Sequence, residues 1–443
     1  MKIADRHPNF QNPEKPRPVI ITGSEDPRPN GGGNQAFRHN IFNLTVSTGT
    51  GNPGATGIDY VANNRGAIRN VSIRSEDGQG VIGLDMSREW PGPALIKNVN
   101  IEGFNIGIRT DHHAQYSMTF QDITLKKQKK VGIQNSHNGI FFENLISDNT
   151  VPVLQQVGKE GGLSVIVGGR FTGGAGGPAI ENSGGLVLRD IQVEGYSLTV
   201  DNQKPGEEKK LSETKVDEWV SEKTLGRSSG RQLKLPIKPS PEFVSENPAD
   251  WQNAREFFVE GAADQTDAIQ KALDSGKPVV YFPNGGYNIS KALVVPPTVR
   301  KITGLQSAIG AQKDNFQGTT LLQIVGSGEP LIVEHLWFSK GAEKSQPSTE
   351  FKRVQQDSSR AVVFRHADLH GGYENTARGV GDTFFEDIMG VPLRIHHPQS
   401  VWGRQVNCEF LNDAPMIQRQ GRHRLDSGLQ DRRPTNHLQW RGR

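Results

Sequence analysis

Short runs of alternating apolar and polar residues recur along the first half of the chain. IFNLTV, IRNVSI, IKNVNI, FQDITL, FENLIS and LRDIQV share one shape, with Asn or Asp in third place. Those residues are Asn43, Asn70, Asn98, Asp122, Asn144 and Asp190, at steps of 27, 28, 24, 22 and 46. The last step is twice 23, so one member is missing, near Gly168 in VGGRFTGG. A period in the twenties is one coil of a parallel β-helix, in which each coil stacks short strands on the next. A helical reading fails, because the runs are short, β-branched and bounded by Gly.

Alternation then assigns faces. Ile41, Leu44 and Val46 point inward, as do Ile68, Val71 and Ile73, and Ile96, Val99 and Ile101. Thr45, Ser72, Asn100 and Thr124 form an outer polar column. The Asn and Asp positions are expected at turns, where stacked amides bond along the axis. A second unit follows each first one: GIDY at Gly57, GLDM at Gly83, GIRT at Gly107 and GIQN at Gly132. Each is read as a Gly turn, an inward aliphatic residue and an outward polar one. The fold class is therefore all-β, a right-handed parallel β-helix (a single-stranded solenoid) in two tandem copies, the second with an N-terminal capping helix.

The boundaries follow from where the pattern stops. Residues 1–203 form the first β-helix. Residues 204–256, charged and then Pro-rich in LKLPIKPSPEF, are a linker or strap. Residues 257–443 form the second β-helix, opened by an amphipathic capping helix over 264–275 with Ile269, Ala272 and Leu273 on one face. A weaker array of few coils appears around Asp368, Asp387 and Asn407, in steps of 19 and 20. The last 25 residues carry seven arginines and no lysine, an atypical end.

Composition narrows the partners. Gly is 51 of 443 residues, which suits many strands joined by tight turns. A net charge of +3 gives no electrostatic case for nucleic acid. No apolar stretch approaches the eighteen residues that span a membrane, and no apolar leader follows Met1. The lone Cys408 excludes an intramolecular disulfide framework. Gly49–Gly54 spells a dinucleotide fingerprint, but Pro53 interrupts it and no helix follows, so no cofactor is implied.

DQTDAIQKALDSGKPVVYFPNGGYNIS resembles the opening of pectate-lyase-like β-helix domains, including those of glycoside hydrolase family 55. GNPGATGIDYVANNRGAIRNVSIRS, WPGPALIKNVNIEGF and VWGRQVNCE also look like parts of large bacterial proteins of that superfamily. The resemblance implies a carbohydrate-active β-helix protein, a polysaccharide glycoside hydrolase or lyase, in an extracellular or cell-envelope setting. No capping helix precedes the first array, and the family's late acid segment has no match, so the chain reads as a fragment that begins inside the first β-helix. The alternative is a non-catalytic glycan-binding or adhesive solenoid, like a tail spike.

Candidate chemistry comes from register. Asp59, Asp85, Arg109 and Gln134 fall in one outward column. Two carboxylates one coil apart repel by roughly 3 kcal/mol at an effective dielectric near 20, so one should hold its proton more tightly. A protonated acid beside an ionised carboxylate is what glycoside cleavage requires, and close spacing suits a retaining mechanism. Asp59 and Asp85 are the catalytic candidates; a solvated column with Arg109 offsetting the acids is the alternative. Arg88, His112 and His137 form the next column, suited to a uronate or phosphate, with His113 nearby. No carboxylate accompanies them at ligand spacing, so no metal site is assigned; the absence of an Asp cluster argues against a Ca²⁺-dependent lyase, and the family resemblance implies a β-1,3-glucanase-like hydrolase instead. Trp337, Trp402 and Arg404, with Tyr373, Arg365 and His366, supply aromatic and cationic groups for sugar in the second array; tryptophans that cover the second helix's interior, or its contact with the first, are the alternative. The oligomeric state is left open.

Overall fold

In the computed structural model, residues 1–23, 35–111, 116–156, 158, 162–204, 206, 209–222, 236–312, 315–339, 353–390, 392–408 and 417–419 are described. The alternating runs are strands, and the strands stack in parallel, so the protein is a nearly all-β parallel solenoid of about 14 turns. The chain divides into two compact units, Met1–Lys234 and Leu235–Arg443.

In the first unit each coil gives one strand to each of two sheets. One sheet stacks Asn40–Ser47, Ala67–Arg74, Ala94–Glu102, Ser117–Lys126, Gly139–Asn149, Leu163–Gly173 and Gly185–Val193. The other begins at Arg17–Ile21, Ala55–Asp59 and Gly80–Asp85, and continues through Phe104–Thr110 and Val131–Asn135. Register follows the sequence columns: Ile41 pairs with Ile68, Ile68 with Ile96, and Ile96 with Phe120. These inward side chains form one buried core, including Val71, Val99, Ile123 and Leu145. Phe120 and Phe142 stack within it at 4.5 Å and 9°.

The Asn and Asp residues do not sit at turns between strands, as expected. Asn43, Asn70, Asn98, Asp122, Asn144 and Asp190 each adopt φ between +52° and +59° inside a continuous strand. Gly168, at φ +72°, supplies the missing member. One left-handed residue per coil bends the strand, and Asn, Asp and Gly tolerate that conformation best. The amides then bond along the axis. Asn70 Nδ2 donates to Asn43 Oδ1 at 2.9 Å, Asn98 Nδ2 to Asn70 Oδ1 at 2.9 Å, and Asn144 Nδ2 to Asp122 Oδ1 at 2.8 Å.

The glycines of the second sheet also differ from expectation. Gly57 and Gly83 lie within strands rather than in turns. A Cβ on Gly57 would stand 2.3 Å from Ile73 Cγ2, and one on Gly83 would stand 2.3 Å from Ile101 Cγ2. Close approach of the two sheets, and not a left-handed turn, requires glycine there.

Unpaired strand edges invite association, and both units cover some of theirs. Within the segment expected as a linker, Lys215–Val220 pairs antiparallel with Gly185–Val193, and Lys210–Leu211 pairs antiparallel with Leu198–Asn202. Reversed direction ends the parallel stack on that side. In the second unit the helix Thr266–Leu273 buries Ile269, Ala272 and Leu273. Its Gln270 accepts from Val294 N at 2.9 Å and donates to Val294 O at 2.9 Å, covering the edge strand Leu293–Val295.

The second unit has the same organisation with other residues. Lys301–Ala311, Leu331–Ser339, Val362–Leu369, Thr383–Met389 and Val401–Asn407 stack in one sheet; Thr320–Gly326, Arg353–Ser358, Tyr373–Asn375 and Leu393–Ile395 stack in the other. Here the left-handed position is held by Gln306, His335, His366, Asp387 and Gln405, at φ +49° to +61°. Asp368 and Asn407 belong to a different column, with Trp337 and Met389. The expected steps of 19 and 20 mixed two columns; the true steps from His366 are 21 and 18.

Substitutions at Asn98 separate conformation from hydrogen bonding. Asn98→Gly keeps the left-handed residue and loses an exposed ladder bond, a cost of at most about 1 kcal/mol. Asn98→Val adds roughly 1–2 kcal/mol for a β-branched residue at positive φ. Denaturant unfolding should rank the three proteins in that order; equal losses for Gly and Val would show that backbone conformation does not govern the ladder.

Candidate functional site

The second sheet of the first unit carries the outward acids. Asp59 pairs in register with Asp85, Asp85 with Arg109, and Arg109 with Gln134. The column continues through Gln155, Glu181 and Asp201. Paired strands lie about 4.8 Å apart, so the two carboxyls occupy adjacent coils.

Each carboxyl has its own partner. Arg88 Nε donates to Asp59 Oδ1 at 2.6 Å, while its Nη2 donates to Thr22 O at 2.6 Å. Asp85 Oδ1 accepts from Ser87 N at 3.0 Å and from Ser87 Oγ at 2.6 Å. Burial raises the pKa of Asp59, against the Arg88 guanidinium, and the Asp85 charge adds to the rise. Burial likewise raises Asp85, against the Ser87 hydrogen bonds and the Arg109 charge. The pair thus combines one carboxyl held by a cation with one held by neutral donors.

Arg109 turns along its own coil. Its Nε donates to Asp111 Oδ1 at 2.7 Å, and Gln134 Nε2 donates to Asp111 Oδ2 at 3.0 Å. Sequence reasoning missed Asp111 and Ser87. The available signal was position: each stands two residues after its column member, Arg109 or Asp85. Arg88 folds back onto Asp59 of the preceding coil. His137 adopts φ +63°, with Nδ1 3.2 Å from Ser136 Oγ. His112 and His113 lie outside the described residues.

The sugar-contact candidates of the second unit part company. Tyr373 is buried in the core, and its hydroxyl donates to Gln356 Oε1 at 2.7 Å. Trp337 is 39% exposed, beside His370 at 5.3 Å, and in register with Asp368. Trp402 and Arg404 share the strand Val401–Asn407, three strands further along the stack. Trp402 stacks on Phe384 at 4.9 Å and 14°. Arg404 lies in register with Glu386, which pairs with Arg365, which pairs with Glu334. Glu334 and Glu386 were not foreseen, because the expected array took Asp368 and Asn407, each two residues past the true column members His366 and Gln405.

Residues 13–162 match the model of the family described as Rhamnogalacturonase A/epimerase, pectate lyase-like. Fold and match together support the pectate-lyase-like β-helix superfamily. The matched stretch holds Asp59, Asp85, Arg88 and Arg109, and covers about a third of the chain. The segment that resembles glycoside hydrolase family 55, residues 264–290, falls outside it. No curated relative matches the chain. Among the described residues no helix is long and apolar enough to cross a membrane.

Burial of Asp85 has a thermodynamic sign. Its folded pKa is raised, so the folded state keeps the proton in the window just above the usual value near 4, where the unfolded chain releases it. Stability is therefore lost as pH rises through that window. Asp85→Asn, which can still accept from Ser87, should melt above the parent at pH 7, with the gap closing below the carboxylate range. A gap independent of pH would remove burial of charge as its cause.

Proposed function

We propose that this protein is carbohydrate-active and cleaves a polysaccharide by glycoside hydrolysis, in an extracellular or cell-envelope setting. One observation carries the reading: two outward carboxyls, Asp59 and Asp85, stand in register on adjacent coils, both with raised pKa. Asp85, held by the neutral donors of Ser87, suits the general acid. Asp59, held by Arg88, suits the ionised partner, and adjacent coils suit attack on the anomeric carbon with retention. Arg109 follows Asp85 in the column and Arg88 reaches Asp59 from the next coil, and both would bind sugar hydroxyls or carboxylates. The likeness of residues 13–162 to a pectate-lyase-like family supports a polysaccharide substrate.

A second reading is non-catalytic glycan binding. It is favoured by the occupancy of both carboxyls, since Arg88 and Ser87 already bond to the oxygens that the chemistry needs. Turnover assays on polysaccharides separate the two. Asp59→Asn and Asp85→Asn should each lower turnover by roughly 10²- to 10⁴-fold while the fold is retained by circular dichroism. Full activity in both variants would clear this pair of a catalytic role. A parent protein that binds glycan and cleaves none would establish the binding module.

A further inference from the structure

The outer face of one sheet of the second unit is covered by an exposed strap. Across that sheet run Thr303, Glu334, Arg365, Glu386 and Arg404, one per coil. Glu334 is met by Lys301 Nζ at 2.6 Å, and Glu386 by Arg365 Nε at 2.7 Å. The two Nη atoms of Arg365 are turned to the strap, where they donate to Glu242 Oε2 at 3.0 Å and Oε1 at 2.8 Å. This is a two-pronged guanidinium–carboxylate pair, the geometry in which arginine recognises planar anions. The guanidinium side is 2% exposed, but the Glu242 side chain is 45% exposed. A buried receptor is thus filled by an accessible occupant.

The rest of the strap repeats that arrangement. Arg404 Nη2 donates to Lys238 O, and Trp402 Nε1 donates to Pro236 O at 3.2 Å. Lys238 Nζ stands over the Trp402 ring, 5.5 Å from its centre, and also donates to Asp382. Ser240 Oγ donates to Glu386. Phe243, like Trp402, packs against the cluster of Ile332, Val363 and Phe384. Pro236, Pro239 and Pro241 lack the backbone donors that would fuse the strap to the sheet as another strand. Arg365 and Arg404 are two coils apart, about 10 Å, a span for an oligosaccharide more than for a single sugar.

We propose that the strap Pro236–Phe243 is an internal stand-in for an acidic saccharide. When it lifts, Arg365 and Arg404 take uronate carboxylates where Glu242 and Lys238 O now lie, and Trp402 takes the sugar face that the Lys238 ammonium covers. The saccharide class rests on the carbohydrate reading above; the requirement for a carboxylate rests on the Arg365–Glu242 geometry alone. Because the strap competes within the chain, it lowers the apparent affinity by the fraction of time it is closed.

Isothermal titration of the full chain with tetragalacturonate tests this without reference to turnover, so it stays independent of the fate of Asp59 and Asp85. The double variant Lys238→Ala, Glu242→Gln weakens the strap and leaves the sheet intact. It should bind tetragalacturonate at least about tenfold more tightly than the parent, the gain shrinking with added salt. Arg404→Gln in that background should remove the gain, with circular dichroism confirming the fold; Arg365→Lys is the second variant if the first fails to fold. Unchanged or absent binding in the strap variant overturns the proposal. An equal gain for the neutral cellotetraose overturns the carboxylate role, and equal binding of tetraglutamate reassigns the groove to an acidic peptide.

Discussion

Everything in this protein hangs on coil-to-coil register. Parallel strands about 4.8 Å apart repeat each residue's environment along the stack, so a side chain is judged against the member above and below it. One left-handed residue per coil keeps that register in step by bending the stacked strands of one sheet in each unit at the same place. In the first unit Asn, Asp or Gly holds this position; in the second, Gln and His share it with Asp. The requirement is conformational, and the amide ladder is an addition where the residue type permits it.

Stacking that suits apolar columns is hazardous for charges. A carboxyl stacked on a carboxyl must be neutralised, protonated or given a partner. The two units solve this differently. In the first, Asp59 draws Arg88 back from the following coil while Asp85 relies on Ser87, and burial leaves both with raised pKa. In the second, acids and bases alternate from coil to coil, and Glu334 is held down at about 2 although burial pushes it up, chiefly by Lys301. The first arrangement leaves two neighbouring carboxyls that both hold their protons more tightly than usual. The second fixes alternating charges across one sheet, with Arg365 paired to Glu386 and Glu242.

The reading of the sequence worked where the repeat was regular. Asn43 to Asn144 are spaced closely enough for coils to be aligned by eye, and that alignment placed Asp59, Asp85, Arg109 and Gln134 in their column. It failed where the ladder residue changed type. His335, His366 and Gln405 carry no familiar turn signature, so Asp368 and Asp387 were set in one column when they occupy two. Glu334 and Glu386 went unnoticed for that reason. The glycines of GIDY and GLDM were read from a general habit of glycine, whereas a close approach of two sheets demands them at those points.

The sequence by itself determined the solenoid, because inward aliphatics and a period in the twenties have no other way to bury their apolar face. It also determined which residues share a column, since register is additive along the chain. Tertiary structure alone decided what each polar side chain does with its freedom. Arg88 reaches backward, Arg109 turns to Asp111, and the proline-rich strap lays Glu242 on Arg365, 123 residues away in sequence. Periodicity fixes where a side chain starts; the direction in which it ends depends on neighbours from distant segments, which no local pattern encodes.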